Sequence, residues 1–139
     1  MSDKERVLEA NERFYAAMNS LDVGEMDAIW MDDAAAVCVH PGREAIFGYE
    51  SIRESWVMIF SVTDSMTIAA SNERITVSGQ VAWVSCTEII SMMTEEGLVA
   101  AAAQATNIFR LDGDDWRMIV HHASPAPLNT QDEWPDLIN

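Results

Sequence analysis

Helical patterns first and long strand patterns afterwards predict an α+β domain, and three observations carry that reading. Two capping signals, each followed by apolar residues at helical spacing, open the chain. A short apolar run then stops at VCVHPG, residues 37–42, where proline and glycine impose a bend. From residue 65 the period changes, and β-rich runs at about 65–77, 80–93, 98–111 and 116–123 are separated by SGQ, TEEG and DGDD turns.

Ser2 with Glu5 fits a capping box, and Val7, Asn11, Phe14 and Met18, with Leu8 and Tyr15 alongside, recur at helical spacing behind it. A first helix over about 3–20 follows. Asp22 with Glu25 repeats the signal, and Met26, Ile29 and Trp30 give a short second helix one apolar face. AAAVCVH reads as a strand, and Pro41 holds His40 extended at its end. REAIF, residues 43–47, is short enough for the return strand of a hairpin. Gly48 leads into YESIRESWVMIF, where Ile52, Trp56, Ile59 and Phe60 share the face of a third helix. The four long runs then form a meander. Residues 125–139 carry three prolines and no periodicity, so one domain over 1–124 is expected, followed by a tail that docks, if at all, through Trp134.

A chain of 139 residues with 49% hydrophobic content can bury the core of one domain. Lys and Arg total 8 against 23 Asp and Glu, a net charge of −15 that opposes phosphate backbones and anionic lipid, so neither nucleic acid nor a membrane surface is an expected partner. Cys38 and Cys86 lie inside apolar runs, where free cysteine behaves as a small buried hydrophobe, and the N-terminus has no apolar h-region. A reduced, cytoplasmic protein is the simplest inference.

Turn lengths fix register, and register decides which residues share a face. If TEEG closes a tight even-numbered loop, Met93 pairs with Leu98 and Asn107 falls opposite Val84. If DGDD does likewise, Leu111 pairs with Trp116 and Asn107 falls opposite Val120. One face then carries Val84, Cys86, Glu88 and Ile90, then Ala101, Ala103, Ala105, Asn107 and Phe109, then Trp116, Met118, Val120 and His122. The other carries Trp83, Ser85, Thr87 and Ile89 with Thr106, Ile108, Ile119 and His121. Both are too apolar for water, so one is expected on the helices and the other on a second copy of the chain, making a homodimer. The alanines of the first face leave room for a small-molecule pocket into which Glu88, Asn107 and His122 project. Phe14, Tyr15, Trp30, Trp56, Val84, Phe109 and Val120 are its expected wall.

The stretches ERFYAAMNSLDVGEMDAIWMDDA, HPGREAIFGYESIRESW and TNIFRLDGDDWRMIVHHAS, in that order, resemble the nuclear transport factor 2-like superfamily, in particular its SnoaL-like and ketosteroid isomerase-like members. The last stretch also resembles the association domain of calcium/calmodulin-dependent kinase II. The resemblance spans about residues 5–124 and implies a curved, mixed sheet wrapped around three helices, a conical pocket, and commonly a dimer through the sheet. His40-Pro41 is similar to the place of the isomerases' general base, an Asp-Pro. Phe14 matches the position of their first oxyanion donor, a tyrosine, so that donor is absent here. Tyr15, one residue along and about 100° round the helix, is not expected to replace it. Asn107 matches the second donor, a protonated aspartic acid, and can donate without any pKa shift.

Each candidate has a plainer reading beside the functional one. His40 is a base or a strand-end histidine bonded to its loop. Glu88 is buried with a raised pKa or lies at the surface on a different register. Asn107 and His122 serve a substrate or satisfy buried polar groups. Adjacent strand residues point to opposite faces, so His121 and His122 cannot share a metal, and no HExxH or CxxC spacing is present. No metal and no cofactor are expected. Two functions remain open: a cofactor-free isomerase, cyclase or hydratase moving a proton on an apolar or cyclic substrate, and a non-catalytic binding or association module.

Overall fold

The computed structural model describes residues 1–128, so the part of the expected tail from 129 on, with Trp134, lies outside the described residues. The elements follow the expected order: α1 (Asp3–Asn19), α2 (Val23–Ile29), β1 (Val37–Val39), β2 (Ile46–Phe47), α3 (Tyr49–Ser61), β3 (Thr63–Ser78), β4 (Val81–Thr94), β5 (Gly97–Asp112) and β6 (Asp115–Ala126). Six strands form one mixed sheet in the order β2-β1-β6-β5-β4-β3. The sheet curls over the helices without closing. The fold is α+β.

Local chemistry sets the helix starts. Ser2 and Glu5 cap each other reciprocally, at 3.1 Å in both directions, and Asp22 accepts from the Glu25 N–H at the start of α2. Gly48, with φ 82°, starts α3 without a side-chain cap. Tyr49 Oη donates to Asp27 Oδ1 at 2.6 Å, tying α3 to α2. Phe14, Met26, Trp30, Ile52 and Trp56 then fill the space between helices and sheet with Val84, Cys86, Phe109 and Met118.

The β4–β5 register is the expected one, with Met93 opposite Leu98 and Val84 opposite Asn107. The β5–β6 register begins as expected, Leu111 opposite Trp116, and then changes. A bulge on β6, opposite the Ile108–Phe109 step of β5, sets Phe109 opposite Met118 and Ile108 opposite Val120, leaving Ile119 as the extra residue. Asn107 therefore faces His121, not Val120. Beyond the bulge every side chain of β6 changes face: His121 and Ala123 are buried, while His122 is exposed. The expectations that His122 and Val120 line the interior, and that His121 and Ile119 face outward, are corrected by this one residue. Ile119 is buried in the core, and Val120 and His122 instead border an outer groove with Ser85 and Thr106. β6 also runs through Ala126, past the expected strand end at 123, with Pro125 paired to Ala103.

Candidate functional site

β1 is three residues long and is held by a parallel pairing to the far end of β6, Cys38 opposite His121. His40 follows directly. Its carbonyl accepts from the Arg43 N–H at 3.0 Å, with Pro41 and Gly42 (φ 76°) at the turn's centre, as a type II turn requires. The turn directs the His40 ring inward, where it meets Trp56 edge-on at 4.8 Å and Nε2 lies 2.9 Å from Ser55 Oγ. Ser55 has one proton and gives it to the Ile52 carbonyl at 2.6 Å, so His40 Nε2 is the donor of that pair. Burial, then the Arg43 charge, hold this imidazole down at about 4, which keeps it neutral at physiological pH.

Deeper in, α1 and the sheet share a polar network. Asn107 Nδ2 donates to Asn11 Oδ1 at 2.8 Å and to Tyr15 Oη at 3.0 Å, and its Oδ1 lies 2.6 Å from His121 Nδ1. Tyr15 Oη donates to Glu88 Oε2 at 2.6 Å and lies 3.3 Å from Cys86 Sγ. Asn11 Nδ2 donates to Glu73 Oε2 at 3.0 Å. Glu88 is 2% exposed, and burial pushes its carboxyl up to about 7 against the opposing pull of the Tyr15 bond. Burial also raises the Tyr15 hydroxyl and lowers His121.

Tyr15, expected in the wall, points into this network with its hydroxyl bonded to Glu88 and Asn107. The sheet curls far enough round α1 that Phe14 and Tyr15, at 0% and 4% exposure, are both covered, and a long phenol crosses the gap to β4. Phe14 packs on the His121 ring at 4.8 Å and on Trp56 at 5.8 Å. The structure brings together Glu88, Asn107, Tyr15 and Phe14, with His40 and Trp56 at the adjacent end. His122 is outside this group. His121, Asn11, Glu73 and Ser55 are members that sequence reasoning did not assign. Asn11 had left a signal, a polar side chain at a core position of an otherwise apolar helix face.

Phe14, Trp30, Trp56 and Phe109 are all buried, and they occupy much of the expected cavity. Three clefts of about 560, 480 and 450 Å³ are lined by other residues, around α1, α2 and the β5–β6 turn in the first case and on the outer sheet face in the last. Within the aromatic cluster the indole N–H groups of Trp30 and Trp56 have no partner among the described residues.

The helix-lined, curled mixed sheet places the chain in the nuclear transport factor 2-like class of fold. Within it, the chain belongs to the SnoaL-like domain family, which matches residues 7–129. A candidate dehydratase of the nuclear transport factor 2-like family from Streptomyces avermitilis is 32% identical, with a TM-score of 0.84 over 91% of this chain and 97% of that one. A candidate calcium/calmodulin-dependent protein kinase type II association domain from Thiobacillus denitrificans is 27% identical, with a TM-score of 0.71 over 85% and 93%. The F-box protein SKIP8 of Arabidopsis thaliana is 21% identical over 125 residues, 90% of this chain and 52% of that protein. The chain spans about half the length of that curated relative.

Proposed function

We propose that this protein binds a small apolar or cyclic molecule between the helices and the sheet and moves a proton on it, as an isomerase, cyclase or hydratase does. The observation that carries this reading is Glu88, a buried carboxyl with a pKa of about 7 held by Tyr15 at 2.6 Å. A purely structural core has little use for such a group, because desolvating a carboxylate costs several kcal/mol, on the order of the whole contribution of a buried side chain. Near neutral pH Glu88 is poised both to accept and to give a proton. Its bond to Tyr15 fixes which oxygen is free. His40, already donating through Nε2, serves the opposite end as an orienting group rather than as the base. The likeness to a candidate dehydratase is in keeping with proton transfer.

The second reading, an association module, is favoured by the aromatic filling of the cavity and by the likeness to a kinase association domain. In either reading we place the dimer contact on the outer sheet face, where Trp83 and Ile89 are 39% and 42% exposed, and a reducing, cytoplasmic setting accords with two free buried thiols. The expected boundary at 124 falls inside β6, which runs through Ala126, and the family domain covers 7–129.

The test is deuterium uptake next to the carbonyl of a panel of cyclic ketones and enones in heavy water. Wild-type protein should exchange at least one of them, and Glu88→Gln should lose about 100-fold or more of that rate. Exchange unaffected by Glu88→Gln removes Glu88 from the mechanism. No exchange and no binding across the panel leaves the association module.

A further inference from the structure

The central network has a direction, and carboxylates set it. Glu73 is on β3, half-buried, and as a carboxylate it only accepts, so Asn11 must turn its amide nitrogen to it. Asn11 then offers Oδ1 to Asn107, which must answer with Nδ2. The second N–H of Asn107 goes to Tyr15, whose own proton goes to Glu88. Both hydrogens of Asn107 are committed on that side, and only its Oδ1 is left for His121 Nδ1, 2.6 Å away. An oxygen acceptor requires a donor opposite. If Glu88 takes up a proton on its free oxygen, Tyr15 goes on donating to Oε2, so Asn107 still meets an acceptor.

We infer that Glu73 and Glu88, acting through Asn11, Tyr15 and Asn107, hold His121 as its Nδ1–H tautomer, so that Nε2 offers a lone pair to a hydroxyl or N–H of the bound molecule. Glu73 is a positioning residue, separated from His121 by two amides. The ring it orients is walled by Phe14 at 4.8 Å and Trp56 at 6.3 Å between ring centroids, and the Trp56 indole N–H has no partner among the described residues. The ligand class that suits this pair is an apolar ring carrying a hydroxyl, which can donate to His121 and accept from Trp56. That ligand assignment rests on the buried-site reading above, whereas the tautomer does not.

Nitrogen NMR of the full chain with isotope-labelled histidine separates the two tautomers directly. Wild-type His121, assigned by single substitutions at His40 and His122, should show a protonated Nδ1 and a bare Nε2. The reverse pattern overturns the inference. Glu73→Gln, which keeps an acceptor oxygen, should leave the pattern unchanged. Glu73→Lys combined with Tyr15→Phe replaces one anchor by a donor and cuts the path to the other, and should move the His121 proton to Nε2. Should that pair not fold, Glu73→Lys with Glu88→Gln poses the same question. A folded double variant that retains Nδ1–H removes the carboxylates from the role given to them. With cyclohexanol and cyclohexanone as probes, the alcohol should displace the Nε2 resonance saturably and further than the ketone, which has no hydrogen to donate to it. Equal or larger displacement by the ketone overturns the ligand class, and displacement by neither overturns the buried-site reading while the tautomer result stands.

Discussion

Glu88 and the two buried histidines pull the pH dependence of stability in opposite directions. Folded, Glu88 keeps its proton up to about 7, against 4.5 for the free side chain, so between those values the native state binds more protons than the unfolded chain. Its contribution is complete below about 4.5 and is lost as pH rises to 7. His40 and His121 are held at about 4 and about 3, below the ordinary 6.5, so theirs is complete above 6.5 and lost as pH falls. Two imidazoles outweigh one carboxyl on the acid side, and the Glu88 effect is seen cleanly only as a difference. Glu88→Gln should gain stability on wild type by roughly 2–3 kcal/mol between pH 4 and pH 8, measured by denaturant unfolding at each pH. A flat difference profile would mean that Glu88 ionises normally in the folded chain. Truncating His40 is also costlier than its strand-end position implies, because the ring packs on Trp56 and donates to Ser55.

At the scale of elements, helix starts were legible because capping side chains and apolar spacing are written locally, as Ser2, Glu5 and Asp22 show. The TEEG hairpin was legible because its turn length alone determines register. The β6 bulge was not. Nothing in RMIVHH distinguishes a regular strand from one carrying an extra residue, since every member of the run is compatible with either face. That single shift exchanged His121 for His122 in the candidate site, while Glu88 and Asn107, on the unbulged pair, share the face expected of them. The bonds of Tyr15 to Glu88 and Asn107 were not legible for a different reason: a helical wheel treats the partner surface as flat, and this sheet wraps round it. The turn that aims His40 offers a test at this scale. Gly42 has φ 76° and its nearest neighbour to an added Cβ is Pro125 Cγ at 3.9 Å, so conformation and not space forbids a side chain there. Gly42→Ala should cost about 1 kcal/mol and weaken the His40–Ser55 bond, seen as lower thermal stability and a shifted His40 titration by NMR.

For the whole molecule, charge and apolar surface compete. Trp83, Ile89, Met93 and Val99 are exposed apolar side chains on β4 and β5, and the groove beside them is lined by Thr106, Gln104 and His122. Ile119, expected among the contact residues, is withdrawn into the core by the bulge. Two copies meeting there each carry −15, so association should strengthen with added salt, the reverse of a contact made by ion pairs. Sedimentation at low and high ionic strength should show the dimer fraction rising, and Trp83→Glu should abolish it. A monomer under both conditions would reject the outer face as an interface.

The parallel seam between β1 and β6 joins residues 37–39 to 120–122, and Trp30 bridges to Met118 beside it. These are among the most distant partners in the chain, and loop-closure entropy must be overcome before they reward it. During synthesis the helices and β1 emerge first, yet they wait for the last strand before either has a finished surface to rest on. Until then Cys38, Phe14 and Trp30 are open to solvent and to other nascent chains. The seam therefore makes completion of the sheet the late step of folding, and the packed surroundings of His40 and His121 are absent until the ribosome has delivered both ends of the seam.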